Sequence, residues 1–253
     1  MVPTRYARVL HAGELRYVRV GEAEHQLLDR APWLGGSETG ERAAAGATLA
    51  CPVEPTKILG VGRNYRAHAA ELGNDLPTEP LLFLKPPSSL VGPGAVIELP
   101  PESARVDYEG ELGVVIGRRA RRVSREDALG YVFGLTIVCD VTARDLQKKD
   151  GQWARAKGFD GFCPTGPVVV SGLAPAPLAL ELRVNGELRQ SASTALMVFD
   201  VARVIEHASA CMTLEPGDLL ATGTPEGIGA LAQGDRVEVS VEGLGTLAFS
   251  VST

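Results

Sequence analysis

The chain has 253 residues, 45% of them apolar and 22% charged, and it carries a formal net charge of −6 at neutral pH. This composition is typical of a globular protein built as one large domain, with or without a small attachment. The negative charge argues against nucleic acid or an anionic membrane as a partner, and the longest nearly apolar run, residues 128–139, is shorter than the roughly 18 residues of a membrane span.

The first 52 residues predict a small lobe rich in β-strands. Strands are expected over residues 5–11 and 14–20, with Ala12 and Gly13 forming the turn between them. Two prolines, Pro52 and Pro55, stiffen the connector that follows. We therefore expect a lobe over residues 1–52 and a catalytic domain over residues 53–253.

Beyond this connector, short strands outnumber short helices. Helices are predicted from their capping residues at four positions: Asn64, Ser124 with Asp127, Thr142 with Asp145, and Asp200. Strands are predicted over residues 57–61, 81–84, 108–116, 131–139, 168–171, 236–241 and 246–251, and Asn185-Gly186 predicts a hairpin turn. This pattern predicts a mainly β architecture with short helices (α+β) rather than a doubly wound sheet.

Three carboxylates fall on or beside predicted strands. Glu109 and Glu111 project from one face of a strand because residues two apart do so, and Asp140 ends another apolar run. A cluster of carboxylate oxygens suits a hard cation such as Mg²⁺ or Mn²⁺. The alternative is that the two glutamates are only the polar face of a half-exposed strand.

Other polar residues could belong to the same site. His68 and Glu71 are three residues apart on a predicted helix, which makes them either an ordinary surface pair or a general base oriented by a carboxylate. Arg144 and Gln147 share one helix face in the same way. Lys157 lies in a glycine-flanked segment, where the alternative is an ordinary exposed lysine. We expect Arg144 and Lys157 to serve a bound anion rather than the protein core.

The local sequence argues against two classes of protein, dinucleotide-binding enzymes and secreted proteins. Gly60 and Gly62 begin like a dinucleotide-binding loop, but Tyr65 occupies the position of its third glycine. The cysteines form no C-x-x-C motif, and the first residues lack the apolar segment of a signal peptide. We therefore expect a cytoplasmic protein with reduced thiols and no nicotinamide chemistry.

Six segments together resemble the fumarylacetoacetate hydrolase family, in the order of that family and over roughly residues 55–250. They are Gly62-Arg63-Asn64-Tyr65 with His68, Leu84-Lys85-Pro86, Tyr108-Glu109 with Glu111-Leu112, Asp140 with Thr142-Ala143-Arg144-Asp145 and Gln147, Lys157-Gly158-Phe159-Asp160, and Thr222-Gly223-Thr224-Pro225. The resemblance is closest to the small members, which include acylpyruvate hydrolases, oxaloacetate decarboxylases and homoprotocatechuate-pathway isomerases. It implies a β-roll fold and a homodimer.

The resemblance also implies roles for individual residues. It implies one divalent cation per subunit, Mg²⁺ or Mn²⁺, held by Glu109, Glu111 and Asp140. It implies a catalytic group of His68, Glu71 and Lys157, the last of these facing the charge of the substrate. Substrate contacts are implied at Lys85, Arg144, Gln147 and Thr224.

These roles predict a metal-dependent enzyme that acts on small 2-oxo (β-diketo) acids, with no nucleic-acid or membrane partner. The expected reaction is hydrolysis of a C–C bond in an acylpyruvate, with the metal polarising the 2-keto group and stabilising an enolate. The alternatives are isomerisation of 2-hydroxyhepta-2,4-diene-1,7-dioate, decarboxylation of 5-carboxymethyl-2-oxo-hex-3-ene-1,7-dioate, and decarboxylation of oxaloacetate. A non-catalytic metal- or metabolite-binding module would need the carboxylates but neither the His–Glu pair nor the cations.

Overall fold

Strands dominate the computed structural model, which describes residues 2–252. Within these residues the strands are β1 (Thr4–His11), β2 (Glu14–Arg19), β3 (Glu24–Leu28), β4 (Glu38–Ala44), β5 (Leu49–Ala50), β6 (Ile58–Gly62), β7 (Leu81–Lys85), β8 (Leu90–Val91), β9 (Val96–Glu98), β10 (Val106–Tyr108), β11 (Gly110–Ile116), β12 (Val132–Cys139), β13 (Thr142–Ala143), β14 (Cys163–Ser171), β15 (Ala179–Val184), β16 (Glu187–Ser193), β17 (Leu219–Ala221), β18 (Gly229–Ala230), β19 (Arg236–Val241) and β20 (Gly245–Ser252). The α-helices are α1 (Arg66–Glu71), α2 (Arg144–Asp150), α3 (Ala154–Lys157) and α4 (Val201–Cys211), and short 3₁₀ turns cover Pro32–Leu34, Pro87–Ser89, Ala128–Tyr131 and Thr194–Leu196. The predicted mainly β architecture is confirmed.

The strands of the described chain form three sheets. The largest has the order β4-β3-β2-β1-β14-β12-β11-β17-β6-β7, with β5 added to β1 and β8 added to β14. A five-stranded sheet has the order β16-β15-β19-β20-β9, and a three-stranded sheet has the order β13-β10-β18. The strand predicted over residues 108–116 is split between two of these sheets, and Glu109 lies at the junction of β10 and β11.

The central strands are covered on both faces. Every residue of β11 is buried, and its side chains alternate between two hydrophobic clusters. Leu112 and Val114 belong to the cluster that includes Leu182 of the five-stranded sheet, whereas Val115 packs with Trp33 from the N-terminal part. This alternation follows from the two-residue period of a strand, and it holds the acidic junction at Glu109 on a rigid support.

The N-terminal strands continue the largest sheet. β1 pairs antiparallel with β14, with Thr4 opposite Ser171, and the meander from β1 to β4 extends the ladder outward. The predicted turn between the first two strands is present, and both Ala12 and Gly13 have positive φ angles. The division of the chain at residue 52 stays a prediction, because the strands on its two sides share one sheet.

Asn64 does not cap the helix predicted after it. α1 begins at Arg66, and Tyr65 occupies the N-cap position without a side-chain cap hydrogen bond. The buried Asn64 amide donates to the carbonyl of Phe199 at 3.0 Å and to that of Thr222 at 2.7 Å. Because a buried amide must be hydrogen-bonded, Asn64 joins the end of β6 to two distant loops instead.

The capping box predicted from Thr142 and Asp145 is wrong for a similar reason. α2 begins at Arg144 without a side-chain cap. The Thr142 hydroxyl donates to the Asp140 carbonyl at 2.8 Å, and Asp145 accepts the hydroxyl of Ser103 at 2.5 Å. Thr142 therefore holds the chain at Asp140, and Asp145 holds the segment at Ser103 and Ala104, so neither side chain caps the helix.

The remaining two helix predictions have different outcomes. Asp200 caps α4 as predicted, because its carboxylate accepts the N–H of Arg203 at 2.8 Å. Ser124 and Asp127 hydrogen-bond to each other at 3.1 Å but precede a 3₁₀ turn rather than an α-helix. None of the helices within residues 2–252 has the length and apolar character needed to cross a membrane.

Candidate active site

A cavity of about 300 Å³ lies among β6, β11, α1, α2 and α3. Eight of the ten site residues predicted from sequence line it: His68, Glu109, Glu111, Asp140, Arg144, Gln147, Lys157 and Thr224. The other two, Glu71 and Lys85, contact residues of this lining rather than the cavity itself. The structure therefore brings together residues that are up to 156 positions apart in the sequence.

Sheet pairing assembles the three carboxylates. Gly110 at the start of β11 lies opposite Cys139 at the end of β12, and the N–H of Asp140 donates to the carbonyl of Glu109 at 2.8 Å. One carboxylate oxygen from each of Glu109, Glu111 and Asp140 lies within 4.8 Å of the others. None of the three residues is more than 3% exposed, so they are not the polar face of a half-exposed strand.

The charges within this acidic cluster are unequal. Burial raises the pKa of Glu111 well above its usual range, and the negative charges of Asp140 and Glu109 raise it further. Burial acts in the same direction on Glu109, but the cations of Lys157 and Arg144 outweigh it and lower the pKa of Glu109 below its usual range. A divalent cation supplies the positive charge that Glu111 lacks, so the donor set fits one Mg²⁺ or Mn²⁺ held by the three carboxylates.

Two buried lysines surround the same cluster. The Lys157 ammonium lies 2.7 Å from Glu109 and 2.5 Å from Asp140, and the Lys85 ammonium lies 2.6 Å from the other oxygen of Asp140. Neither lysine is an ordinary exposed one, since their exposed fractions are 2% and 1%. Lys85 is therefore placed to hold Asp140, and its predicted contact with substrate stays a prediction.

Arg144 is held in place by three direct partners, and a fourth residue holds one of these partners. Its Nε donates to Asp107 at 2.9 Å, its Nη1 donates to Gln147 at 2.7 Å, and its Nη2 pairs with Glu109. Arg105 donates to the second oxygen of Asp107 at 2.8 Å. Asp107 was not among the site residues predicted from the sequence, although residues 107, 109 and 111 share one strand face and that period could have revealed it.

Replacement of Asp107 by asparagine is expected to weaken the protein by about 1–3 kcal/mol, because it leaves two arginines short of a buried charged acceptor. Urea denaturation measures this loss, which should accompany a loss of the fixed position of the Arg144 guanidinium. The control is Asp75→Asn, which changes an exposed aspartate. Equal stability of the wild type and the Asp107 variant would contradict the assignment.

His68 lies on the cavity side of α1 with Glu71 beside it. The His68 Nδ1 and one oxygen of Glu71 are 3.3 Å apart, and His68 is 5% exposed. The second oxygen of Glu71 accepts the N–H of Gly227 at 3.0 Å. Glu71 thus orients the imidazole and also ties α1 to the loop that carries Thr224, which is more than an incidental surface pair requires.

One part of the cavity lining combines two aromatic rings with a cation. Phe83 and Trp153 meet edge to face with their centroids 5.4 Å apart. A Cβ added to Gly60 would lie 2.1 Å from the Phe83 ring, and a Cβ added to Gly62 would lie 2.6 Å from the Trp153 ring. These two glycines therefore allow the rings to pack against the backbone, rather than serving dinucleotide binding. Arg63 also lines the cavity, with a φ of 55°, and makes no ion pair within residues 2–252.

Known proteins resemble this chain over most of its length. Residues 57–252 match the family described as fumarylacetoacetate (FAA) hydrolase C-terminal, and residues 4–52 match one described as Rv2993c-like, N-terminal. The predicted family resemblance is confirmed by the first of these matches.

Three of the similar proteins have names that state an activity. The oxaloacetate tautomerase YisK of Bacillus subtilis is 46% identical, with 78% of this chain and 70% of the relative covered. The mitochondrial oxaloacetate decarboxylase of Dictyostelium discoideum is 43% identical, with 75% and 90% covered. The crystal structure of 2-hydroxyhepta-2,4-diene-1,7-dioate isomerase from Mycobacterium marinum has a TM-score of 0.91 and 40% identity, with 98% of each chain covered.

Proposed function

This chain belongs to the fumarylacetoacetate hydrolase family, and we propose that it is a metal-dependent tautomerase of a small 2-oxo dicarboxylic acid such as oxaloacetate. The observation that carries the proposal is the placement of His68, held by Glu71, in the same cavity as the acidic cluster. Tautomerisation moves one proton between C3 and the 2-oxo oxygen, and it therefore needs a positioned base beside a charge-stabilising site.

The histidine pair can supply the base. A carboxylate only accepts hydrogen bonds, so we assign the proton shared with Glu71 to Nδ1 of His68, which makes Nε2 the nitrogen available as the base. This nitrogen takes the proton from C3 of the keto form and delivers it to the 2-oxo oxygen, which gives the enol, and the reverse transfers restore the keto form. Lys157 and Arg144 offset the negative charge of the bound acid.

The acidic cluster completes the site. Glu109, Glu111 and Asp140 would hold the divalent cation, which when bound supplies Lewis acidity toward the 2-oxo group. Lys85 holds one oxygen of Asp140 and Lys157 holds the other, so the two lysines fix the orientation of this carboxylate. The cavity volume of about 300 Å³ lies at the lower end for ligand sites and suits a small acid.

Two cations of the cavity lining support a dicarboxylate rather than a monocarboxylate. Arg63 and Lys148 line the cavity, and neither forms an ion pair within the described residues. A partly buried guanidinium without a carboxylate neighbour favours an anionic group on the ligand. Oxaloacetate carries such a second carboxylate, whereas a simple acylpyruvate does not.

The reaction predicted first, hydrolysis of an acylpyruvate, stays a prediction. It requires a water molecule placed for attack in addition to proton transfer, and the names of the relatives favour the tautomerase, isomerase and decarboxylase alternatives. Decarboxylation of oxaloacetate is the second candidate, because a relative of that name matches at 43% identity. A non-catalytic binding module is disfavoured, since the cavity combines the carboxylates with the histidine pair and two buried cations.

A direct assay separates these reactions. The purified protein with Mg²⁺ is mixed with enol oxaloacetate, and the enol absorbance is followed with and without a chelator. We expect the protein to accelerate tautomerisation over the spontaneous rate, and we expect the chelator to abolish this acceleration. In a parallel assay, release of CO₂ should be slower than tautomerisation. Cleavage of acetylpyruvate faster than oxaloacetate tautomerisation would return the hydrolase interpretation to first place.

The homodimer implied by the family resemblance is also a proposal. Light scattering at micromolar concentration should give a mass roughly twice the 26.7 kDa of one chain. A single species with the mass of one chain would exclude the dimer.

A further inference from the structure

A closed ring of hydrogen bonds connects the acidic junction to the Thr224 loop. Gln190 belongs to β16 of the five-stranded sheet and is 1% exposed. Its Oε1 accepts the N–H of Gly110 at 2.9 Å, and its Nε2 donates to the Thr224 hydroxyl at 2.8 Å. The Thr224 hydroxyl donates in turn to the Gly110 carbonyl at 3.0 Å, which closes the ring.

The direction of every bond in this ring is determined. The backbone N–H of Gly110 can only donate, so the oxygen of the Gln190 amide must face it and the nitrogen must face Thr224. The second hydrogen of that nitrogen reaches the carbonyl of Pro225 at 2.8 Å. Because the Gly110 carbonyl can only accept, it takes the single proton of the Thr224 hydroxyl.

The Thr224 hydroxyl therefore has no proton left to donate to a ligand. Its oxygen has two lone pairs, and one of them already accepts from Gln190. Thr224 lines the cavity, and the remaining lone pair is the hydrogen-bonding capacity that its hydroxyl has left for a ligand. A ligand hydroxyl satisfies this lone pair, whereas a bare carbonyl or carboxylate oxygen places a second acceptor against it.

We propose that Gln190 is a positioning residue that holds Thr224 as a hydrogen-bond acceptor, so that the site prefers a ligand with a hydroxyl group at this position, an enol or a 2-hydroxy acid, over one with a bare oxygen. This inference rests on the proposed function, because it concerns the two tautomers of the same substrate class. No sequence pattern marked Gln190, since its neighbours in β16 are largely exposed.

Calorimetric titration of the Mg²⁺-loaded protein with malate and oxalate tests the proposal without turnover. Malate carries a hydroxyl beside its carboxylate, and oxalate carries only bare oxygens. Thr224→Val should weaken malate binding by about five- to tenfold, the size of one hydrogen bond, and should change oxalate binding by less than about twofold. Thr224→Ser keeps the hydroxyl and should restore the wild-type preference.

Gln190→Met tests the positioning role, with Gln233→Met as the exposed control. Loss of the amide leaves the bond to the Gly110 carbonyl as the one remaining bond of the ring that orients the Thr224 hydroxyl. The ratio of malate to oxalate affinity should therefore fall several-fold, while the control keeps the wild-type ratio. A purely structural role would lower the melting temperature and weaken both ligands equally.

The outcomes separate this inference from the proposed function. Equal weakening of both ligands in Thr224→Val, selective loss of oxalate, no change for either, or no binding of either by the wild type would each overturn the acceptor role. Failure of the wild type to accelerate oxaloacetate tautomerisation would instead overturn the proposed function, and the preference between malate and oxalate would still be measured independently.

Discussion

Glu111→Gln is expected to abolish divalent-metal binding and catalysis while leaving the metal-free protein at least as stable as the wild type. Glu111 accepts the N–H of Gly223 at 2.7 Å, but no cation lies within ion-pair distance of it in residues 2–252. Its raised pKa, caused by burial and then by Asp140 and Glu109, shows that the metal-free fold disfavours its charge. The neutral amide has nearly the same shape and removes that unfavourable charge.

The same substitution removes one of the three carboxylates proposed as ligands. Loss of a residue that hydrogen-bonds to a metal ligand already lowers metal affinity by about 10–100-fold, so loss of a ligand itself should lower it by at least about 100-fold. Metal at 100 times its Kd stabilises a protein by about 2.7 kcal/mol, and this gain should vanish in the variant.

Thermal unfolding with and without Mn²⁺ measures both halves of this expectation. The wild type and the control Glu22→Gln, which changes an exposed glutamate, should be stabilised by the metal. The Glu111 variant should unfold at the wild-type temperature or above without metal and should not respond when metal is added. An undiminished response to Mn²⁺ would remove Glu111 from the ligand set.

His68→Ala is expected to reduce oxaloacetate tautomerisation by about 10²–10⁴-fold, the usual contribution of a general base. Decarboxylation of the same substrate should fall much less, because loss of CO₂ needs stabilisation of the enolate charge, which a cation held by the acidic cluster would supply, but no proton-abstracting group. The contrast between the two reactions of one substrate separates the base from a binding role.

The variant must be compared with two others. His11→Ala changes a histidine at the end of β1 that does not line the cavity, and it should leave both rates unchanged. Glu71→Gln keeps His68 but weakens its orientation, so its loss of tautomerase rate should be smaller than that of His68→Ala. Equal losses of both reactions in His68→Ala would make α1 a closing or clamping element, and no loss would make the pair an ordinary surface feature.

The two cations of the site are part of the buried structure in the ligand-free chain. Arg144 and Lys157 are both buried and paired with Glu109, and their service to a bound anion stays a prediction. Buried carboxylates require such partners, and loss of one partner leaves an uncompensated charge. Their replacement by methionine is therefore expected to affect stability as well as substrate affinity.

Local periodicity and residue type were enough to predict much of this protein. The mainly β architecture, the capped α4 helix and the hairpin at Asn185-Gly186 depend on patterns of a few residues. Such patterns act through backbone geometry, which requires no knowledge of distant contacts. The meeting of Glu109, Glu111 and Asp140 depends in addition on the pairing of β11 with β12.

Only the tertiary structure decided which polar groups meet. Asn64 reaches a loop 158 residues away, and Gln190 reaches Gly110 from a distance of 80 residues. These partners are set by the register between strands that are far apart in the sequence, and no short pattern specifies that register. The buried amides and lysines follow it, because each buried polar group must find its partner wherever the sheets place one.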